Sequence, residues 1–209
     1  MKELLKVLLL STTIFSSFYA MTVYGAELTV QVYDSKGGVV KNAVVYVESD
    51  TKSNSIIAPA IIAQRGKKFD PLVSVVQVGS DVAFPNYDSV RHQVYSFSPA
   101  KTFELKLYSG VTAKSVKFDK AGTVVLGCNI HDYMLAFIQV VDTPYFTKTD
   151  DAGMAKLTNV PEGNYQLKVW HYALAKENEI VQQPILIKGN DTKTINLNLK
   201  PFQLPVGPQ

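Results

Sequence analysis

Past its first two dozen residues, the chain alternates apolar and polar positions over short stretches separated by turn residues. No long segment carries apolar residues at helical spacing, so strands are expected throughout. The first pair is 28–33, where Leu28, Val30 and Val32 share a face, and 42–47, joined by the turn Asp34-Ser35-Lys36-Gly37-Gly38. A polar stretch, 48–55, reads as a linker. A second block, Ile56 to Asp142, predicts strands at 60–64, 72–77, 81–84, 92–97, 103–107, 113–118, 122–126 and 135–141. Short strands at that density suit a sandwich or closed barrel. A third block turns at Asp150-Asp151-Ala152-Gly153 and predicts β structure at 160–169, 184–187 and 194–199. The expected fold is all-β, with one larger and one smaller β unit.

The start of the chain does not belong to that pattern. Lys2 and Lys6 precede an apolar run through Val7-Leu8-Leu9-Leu10, Ile14-Phe15 and Phe18-Tyr19, and small residues follow at Gly25-Ala26. This reads as a secretory signal peptide over 1–26, cleaved near Gly25 or Ala26, and implies export, to a periplasm above all. Ser11, Thr12, Thr13, Ser16 and Ser17 interrupt the run, and no later segment suits a membrane span, so the mature protein is expected to have none. Loss of a leader holding Lys2, Lys6 and Glu3 takes the formal charge from +3 to about +2. The basic residues are scattered rather than striped, which argues against a nucleic-acid partner.

The candidate chemistry lies in 127–134, GCNIHDYM, which holds the single cysteine of the chain. An unpaired thiol in an oxidising compartment needs an explanation other than an intramolecular disulfide. Either Cys128 is a buried small hydrophobe, or Cys128, His131 and Met134 are metal donors at three-residue spacing. Thiolate and thioether favour copper, and a blue-copper site needs two imidazoles, one thiolate and a weak axial thioether. The second imidazole is His92 or His171. His92 opens a predicted strand after the turn-rich 85–89, where its side chain can meet a neighbouring loop, whereas His171 reads as a partly buried or surface residue. Zinc held by His92, Cys128, His131 and Asp132 is also compatible with these residue types.

The segments VVQVGSDVAFPNYDSVRH (75–92) and FDKAGTVVLGCNIHDYM (118–134) resemble the approaches to the two ligand loops of cupredoxins. The short Cys-x-x-His-x-x-Met spacing is most similar to the amicyanin and plastocyanin-like members, including methylamine-utilisation proteins. The resemblance implies a Greek-key sandwich or barrel over 56–142 and one type 1 copper ion held by His92, Cys128, His131 and Met134. It also implies one-electron transfer to and from redox protein partners, with the edge of His131 as the electron port. Two departures stand out. Many members have Asn after the first histidine, tying the ligand loops together; here it is Gln93, and Asn86 or Ser89 could supply the tie. Asp132 stands where proline is common, and an unpaired carboxylate there is expected to lower the reduction potential.

The third block resembles the carboxypeptidase regulatory-like, transthyretin-like (prealbumin-like) sandwich through TKTDDAGMAKLTNVPEGNYQLKVW (147–170). That family opens with a strand, an Asp-x-x-Gly turn and an Asn-Ala strand, which the third block lacks and LTVQVYDSKGGVVKNAVVYVES (28–49) supplies. Residues 27–50 and 143–203 are therefore expected to form one discontinuous domain, with 204–209 a tail and the copper domain inserted at a surface where both ends lie close. The alternative packs the first hairpin on the copper barrel; contacts of Val30 or Val45 with 165–169 discriminate. With only His171 to spare, copper oxidase or nitrite reductase chemistry is not expected, and the chain reads as a carrier rather than an enzyme. Two other readings remain open: a copper delivery or storage protein without redox cycling, and an envelope or carbohydrate-binding sandwich with a vestigial copper site.

Overall fold

The computed structural model describes residues 25–50, 57–111, 114–176 and 179–207. Residues 1–24 of the expected leader, 51–55 of the linker and the start of the strand expected at 113–118 lie outside the described residues; Ala26, the last residue of the expected leader, is buried and already opens the first strand. Among those described there is no helix, and so none long and apolar enough to cross a membrane. The chain opens with β1 (Ala26–Asp34) and β2 (Val44–Glu48). The central block holds β3 (Ala60–Ile61), β4 (Ala63–Gln64), β5 (Phe69–Asp70), β6 (Val73–Gln77), β7 (Ser80–Ala83), β8 (His92–Ser98), β9 (Lys101–Tyr108), β10 (Val116–Phe118), β11 (Gly122–Gly127) and β12 (Leu135–Val141). It is followed by β13 (Phe146–Lys148), β14 (Met154–Val160), β15 (Gly163–Trp170), β16 (Val181–Ile187) and β17 (Asp191–Leu197).

These strands make two β-sandwiches. In the first, the sheet β14-β1-β17 faces the sheet β13-β2-β15-β16. The inward face of β1, Leu28, Val30 and Val32, meets Val45, Val47, Leu157, Leu167, Val169 and Ile195 in one core. The N-terminal hairpin thus pairs with the C-terminal block: Val45 lies opposite Val169, and Val47 opposite Leu167. The ends of the intervening segment are adjacent, because Thr143 Oγ1 donates to the Val47 carbonyl at 2.8 Å and the Val47 N–H to Tyr145 at 3.1 Å. The stretch expected at 160–169 is not one strand. Val160 ends β14, and the chain reverses at Pro161-Glu162 before Gly163 starts β15. The alternation Ala155, Leu157 inward and Lys156, Thr158 outward makes 154–160 a strand in its own right.

The second sandwich sets β10-β7-β3 against β6-β12-β11-β8-β9, with β4-β5 as a separate small hairpin. Its core holds Phe84, Val94, Phe118, Val124, Leu126, Ala136 and Ile138. The strand β12 is buried on both faces, and a nearly continuous apolar run, Leu135 to Val141, is what such a strand requires. Ala136, Ile138 and Val140 point into its own sandwich, while Phe137 and Val141 belong to the other core. Phe137 stacks on Tyr172 at 5.0 Å between centroids and meets Trp170 at 6.1 Å. The one polar residue of the run, Gln139, accepts the Thr123 hydroxyl at 2.8 Å.

His171 lies beside this junction, not at the cysteine. It is buried, and its Nδ1 accepts the Ala173 N–H at 3.1 Å. Burial pushes its pKa down to about 4, against an opposing hydrogen bond to the Lys41 backbone. The native ring stays neutral while the unfolded imidazole takes up a proton below about 6.5, so stability is lost as pH falls from about 6.5 towards about 4. The loss over that window is about 3 kcal/mol at about 1.4 kcal/mol per pKa unit. Urea unfolding at the two ends of the window is expected to show it in the parent chain, and a flatter dependence in His171→Gln. Equal slopes would contradict the assignment.

Candidate metal centre

The strand β11 turns Val124 and Leu126 into the core, and the same two-residue period carries Cys128 inward at 1% exposure. Its partner β12 pairs Leu135 with Gly127, and Met134, the residue before Leu135, is also 1% exposed and lies in the same buried cluster as Cys128. Between them the chain reverses through a turn closed by the Met134 N–H donating to the His131 carbonyl at 2.9 Å. Gly127 has a steric reason: a Cβ there would lie 2.7 Å from the Tyr95 ring, which covers the peptide before the cysteine.

His92 arrives from the other side. It is the first residue of β8 and fully buried, with Val94 and Ser96 on the same inward face. Its pairing with Tyr108 and that of Val94 with Leu105 are out of step, an irregularity of the kind that re-aims a side chain. The result is that the donor atoms of His92, Cys128 and His131 all lie within 4.8 Å of one another. His92 Nδ1 and His131 Nδ1 face each other at 3.1 Å, with ring centroids 4.9 Å apart. His131 is partly exposed, and burial, then His92, then Lys67 hold its pKa below the usual imidazole value, against weaker contributions from Asp88 and Asp132. Tyr133 lies beside His131 at 5.6 Å, and the tail returns to this loop: a Cβ on Gly207 would touch the Tyr133 ring.

The residues expected around the donors are placed differently from one another. Asn86, 3% exposed, donates to the Val90 and Tyr108 carbonyls and accepts the Asp88 N–H, each at 2.9 Å. It ties the loop before His92 to β9. Gln93 does not face the donors: successive strand residues point to opposite faces, and Gln93 donates to Glu104 Oε1 at 2.6 Å on the outer side. Asp132 is exposed to solvent. The polar neighbour not anticipated is Asp88, whose Oδ2 lies 2.8 Å from His92 Nε2. Burial disfavours its charge, but the Lys67 N–H, His92 and the Gly66 N–H outweigh that and hold the carboxyl below its usual range. The signals in the sequence are an Asp four residues before a His in a turn-rich loop, and its place in the segment 75–92 that resembles the cupredoxin approach to the first ligand.

No protein-family model and no curated protein matches the chain. Solved structures do. A copper-containing nitrite reductase from Thermus scotoductus SA-01 is 25% identical, with a TM-score of 0.38 over 46% of this chain; the match spans a quarter of the reductase, 25% of its length. A purple cupredoxin from Nitrosopumilus maritimus is 21% identical, with a TM-score of 0.36 over 39% of this chain and 99% of its own. The reduced Cu(I) form of an amicyanin variant is 18% identical, with a TM-score of 0.37 over 46% of this chain and 98% of its own.

Proposed function

We propose that the chain is an exported copper protein of the cupredoxin kind that passes single electrons between redox protein partners, donor and acceptor. One type 1 copper ion would be held by His92, Cys128, His131 and Met134. The observation that carries this reading is the meeting of His92, Cys128 and His131 within 4.8 Å at a buried strand end, with Met134 buried in the same cluster as the thiol. Two imidazoles, a thiol and a thioether fit copper, and the thioether adds nothing for zinc. Copper, when bound, supplies a one-electron couple. The chain holds the donors on strand ends and a closed turn, so that little moves between the two charge states. The core excludes water from Cys128 and Met134, and the partly exposed His131 is the path to a partner's surface.

Export to a periplasm rests on the sequence of the leader. The pairing of β2 with β15 supports reading 27–50 and 143–203 as one discontinuous, carboxypeptidase regulatory-like sandwich with the copper domain of 56–142 inserted. Its role would be to present the copper domain to a partner, since the packing of Phe137 against Tyr172 couples the two cores. The test is an optical redox titration of the copper-loaded mature protein. Reversible one-electron bleaching of a thiolate charge-transfer band supports the carrier. Copper uptake without that band points instead to delivery or storage, and no uptake to a sandwich with a vestigial site.

A further inference from the structure

Asp88 has a setting that turn formation alone does not require. Its side chain is 14% exposed and its carboxylate is fully engaged before any metal enters. Oδ1 accepts the Gly66 N–H at 2.6 Å; Oδ2 accepts the Lys67 N–H at 2.8 Å and meets His92 Nε2 at 2.8 Å. Gly66 and Lys67 are the central residues of the β4-β5 hairpin turn, closed by Arg65 and Lys68, and both have positive φ, 60° and 55°. Two successive amides in that conformation form a concave anion site. A lysine at positive φ is unfavourable, and the carboxylate seated on its N–H offsets that cost. The hairpin is itself fastened to the Asp88 loop: Gln64 N–H donates to the Pro85 carbonyl at 2.8 Å, and Tyr87 N–H to the Gln64 carbonyl at 2.9 Å. Arg65 lies over the Tyr87 ring at 4.9 Å.

An ionised carboxylate only accepts hydrogen bonds, so the His92 nitrogen facing it carries the proton. A neutral imidazole has one N–H, which leaves Nδ1 with its lone pair. Nδ1 is the atom directed at His131 and into the donor group. We propose that Asp88 is the positioning residue of this centre: seated on the Gly66 and Lys67 amides, it keeps the proton on His92 Nε2 and presents Nδ1 to the metal. The identity of the metal rests on the copper reading above; the tautomer and the ring orientation do not. A fixed negative charge behind one donor also favours the more positive cupric state, so it lowers the reduction potential. Asp132 is exposed and screened by solvent, and has the weaker effect.

The test begins on metal-free protein, with histidine ¹⁵N NMR, which distinguishes a ring nitrogen that carries a proton from one that holds a lone pair. The parent chain is expected to show His92 as the Nε2–H tautomer. Asp88→Ala is expected to show mixed tautomers and about 10- to 100-fold weaker copper binding by chelator competition. Asp88→Asn keeps an acceptor oxygen and guards against collapse of the loop; it is expected to retain the tautomer while raising the potential more than Asp132→Asn does. An Nδ1–H tautomer in the parent, or an unchanged tautomer and affinity in Asp88→Ala, overturns the proposal. If the tautomer behaves as expected and copper binds without a thiolate band, the carrier reading fails and the positioning role stands.

Discussion

On the copper reading proposed above, replacing Cys128 by serine is expected to abolish an intense visible absorption of the copper-loaded protein and to weaken Cu(I) binding more than about 100-fold. Loss of a single group behind a metal ligand costs about 10- to 100-fold, and removing an anionic donor that touches the ion costs more. The proposed centre predicts complete loss of the band, because it would arise from charge transfer out of the thiolate, and a serine hydroxyl is neither ionised nor soft. The fold should survive. Cys128 is buried between Leu126 and the β12 hairpin, and a buried hydroxyl costs about 1–3 kcal/mol, a fraction of a domain's stability. Cys128→Ala, which leaves no unpaired polar atom, separates the two effects: far-ultraviolet circular dichroism stays unchanged and the band is still lost. Retention of the band in either variant would mean that the absorbing centre lies elsewhere.

Leu167→Ala costs about 3 kcal/mol of stability, measured by urea unfolding of the metal-free protein. Leu167 is fully buried at the centre of β15, opposite Val47 of β2 and packed in a core with Leu28, Leu157 and Ile187. The cost is large because the two sheets close over the site and cannot collapse into the space. Val47 comes from the first 50 residues and Leu167 from beyond the metal loop, so the pair also reports on the discontinuous sandwich. Val47→Ala and Leu167→Ala together should cost less than the sum of the singles by at least about 0.5 kcal/mol. Strict additivity would mean that the two side chains do not share one packing space.

Most of the donor geometry was legible because it follows from period-two alternation and short-range spacing. Val124 and Leu126 inward place Cys128 inward, Met134 just before β12 is buried in the same cluster, and a histidine at the first position of β8 lands at the same end of the sandwich. The same rule, applied from His92, turns Gln93 to the outer side, where it meets Glu104, while Asn86 reaches the Tyr108 carbonyl. Asp88 was legible only as part of the segment resembling the approach to the first histidine; its seat on two backbone amides of a hairpin some twenty residues earlier leaves no trace in side-chain identity. The strand β14 was hidden by the turn chemistry on both sides, Asp150 to Gly153 and Pro161-Glu162, which drew its polar alternate positions into an apparent loop. The burial of β12 on both faces could be read from its composition, but not which core each face would join.

The central claim is that these side chains form a thiolate–copper centre that cycles by one electron. An anaerobic redox titration of the copper-loaded mature protein, followed by its visible spectrum, tests it most directly. The account predicts an intense thiolate-to-copper band in the visible spectrum of the oxidised form that bleaches with one electron equivalent and returns on reoxidation over repeated cycles. Copper bound at one equivalent with only weak ligand-field absorption, or a band that does not return, would contradict it.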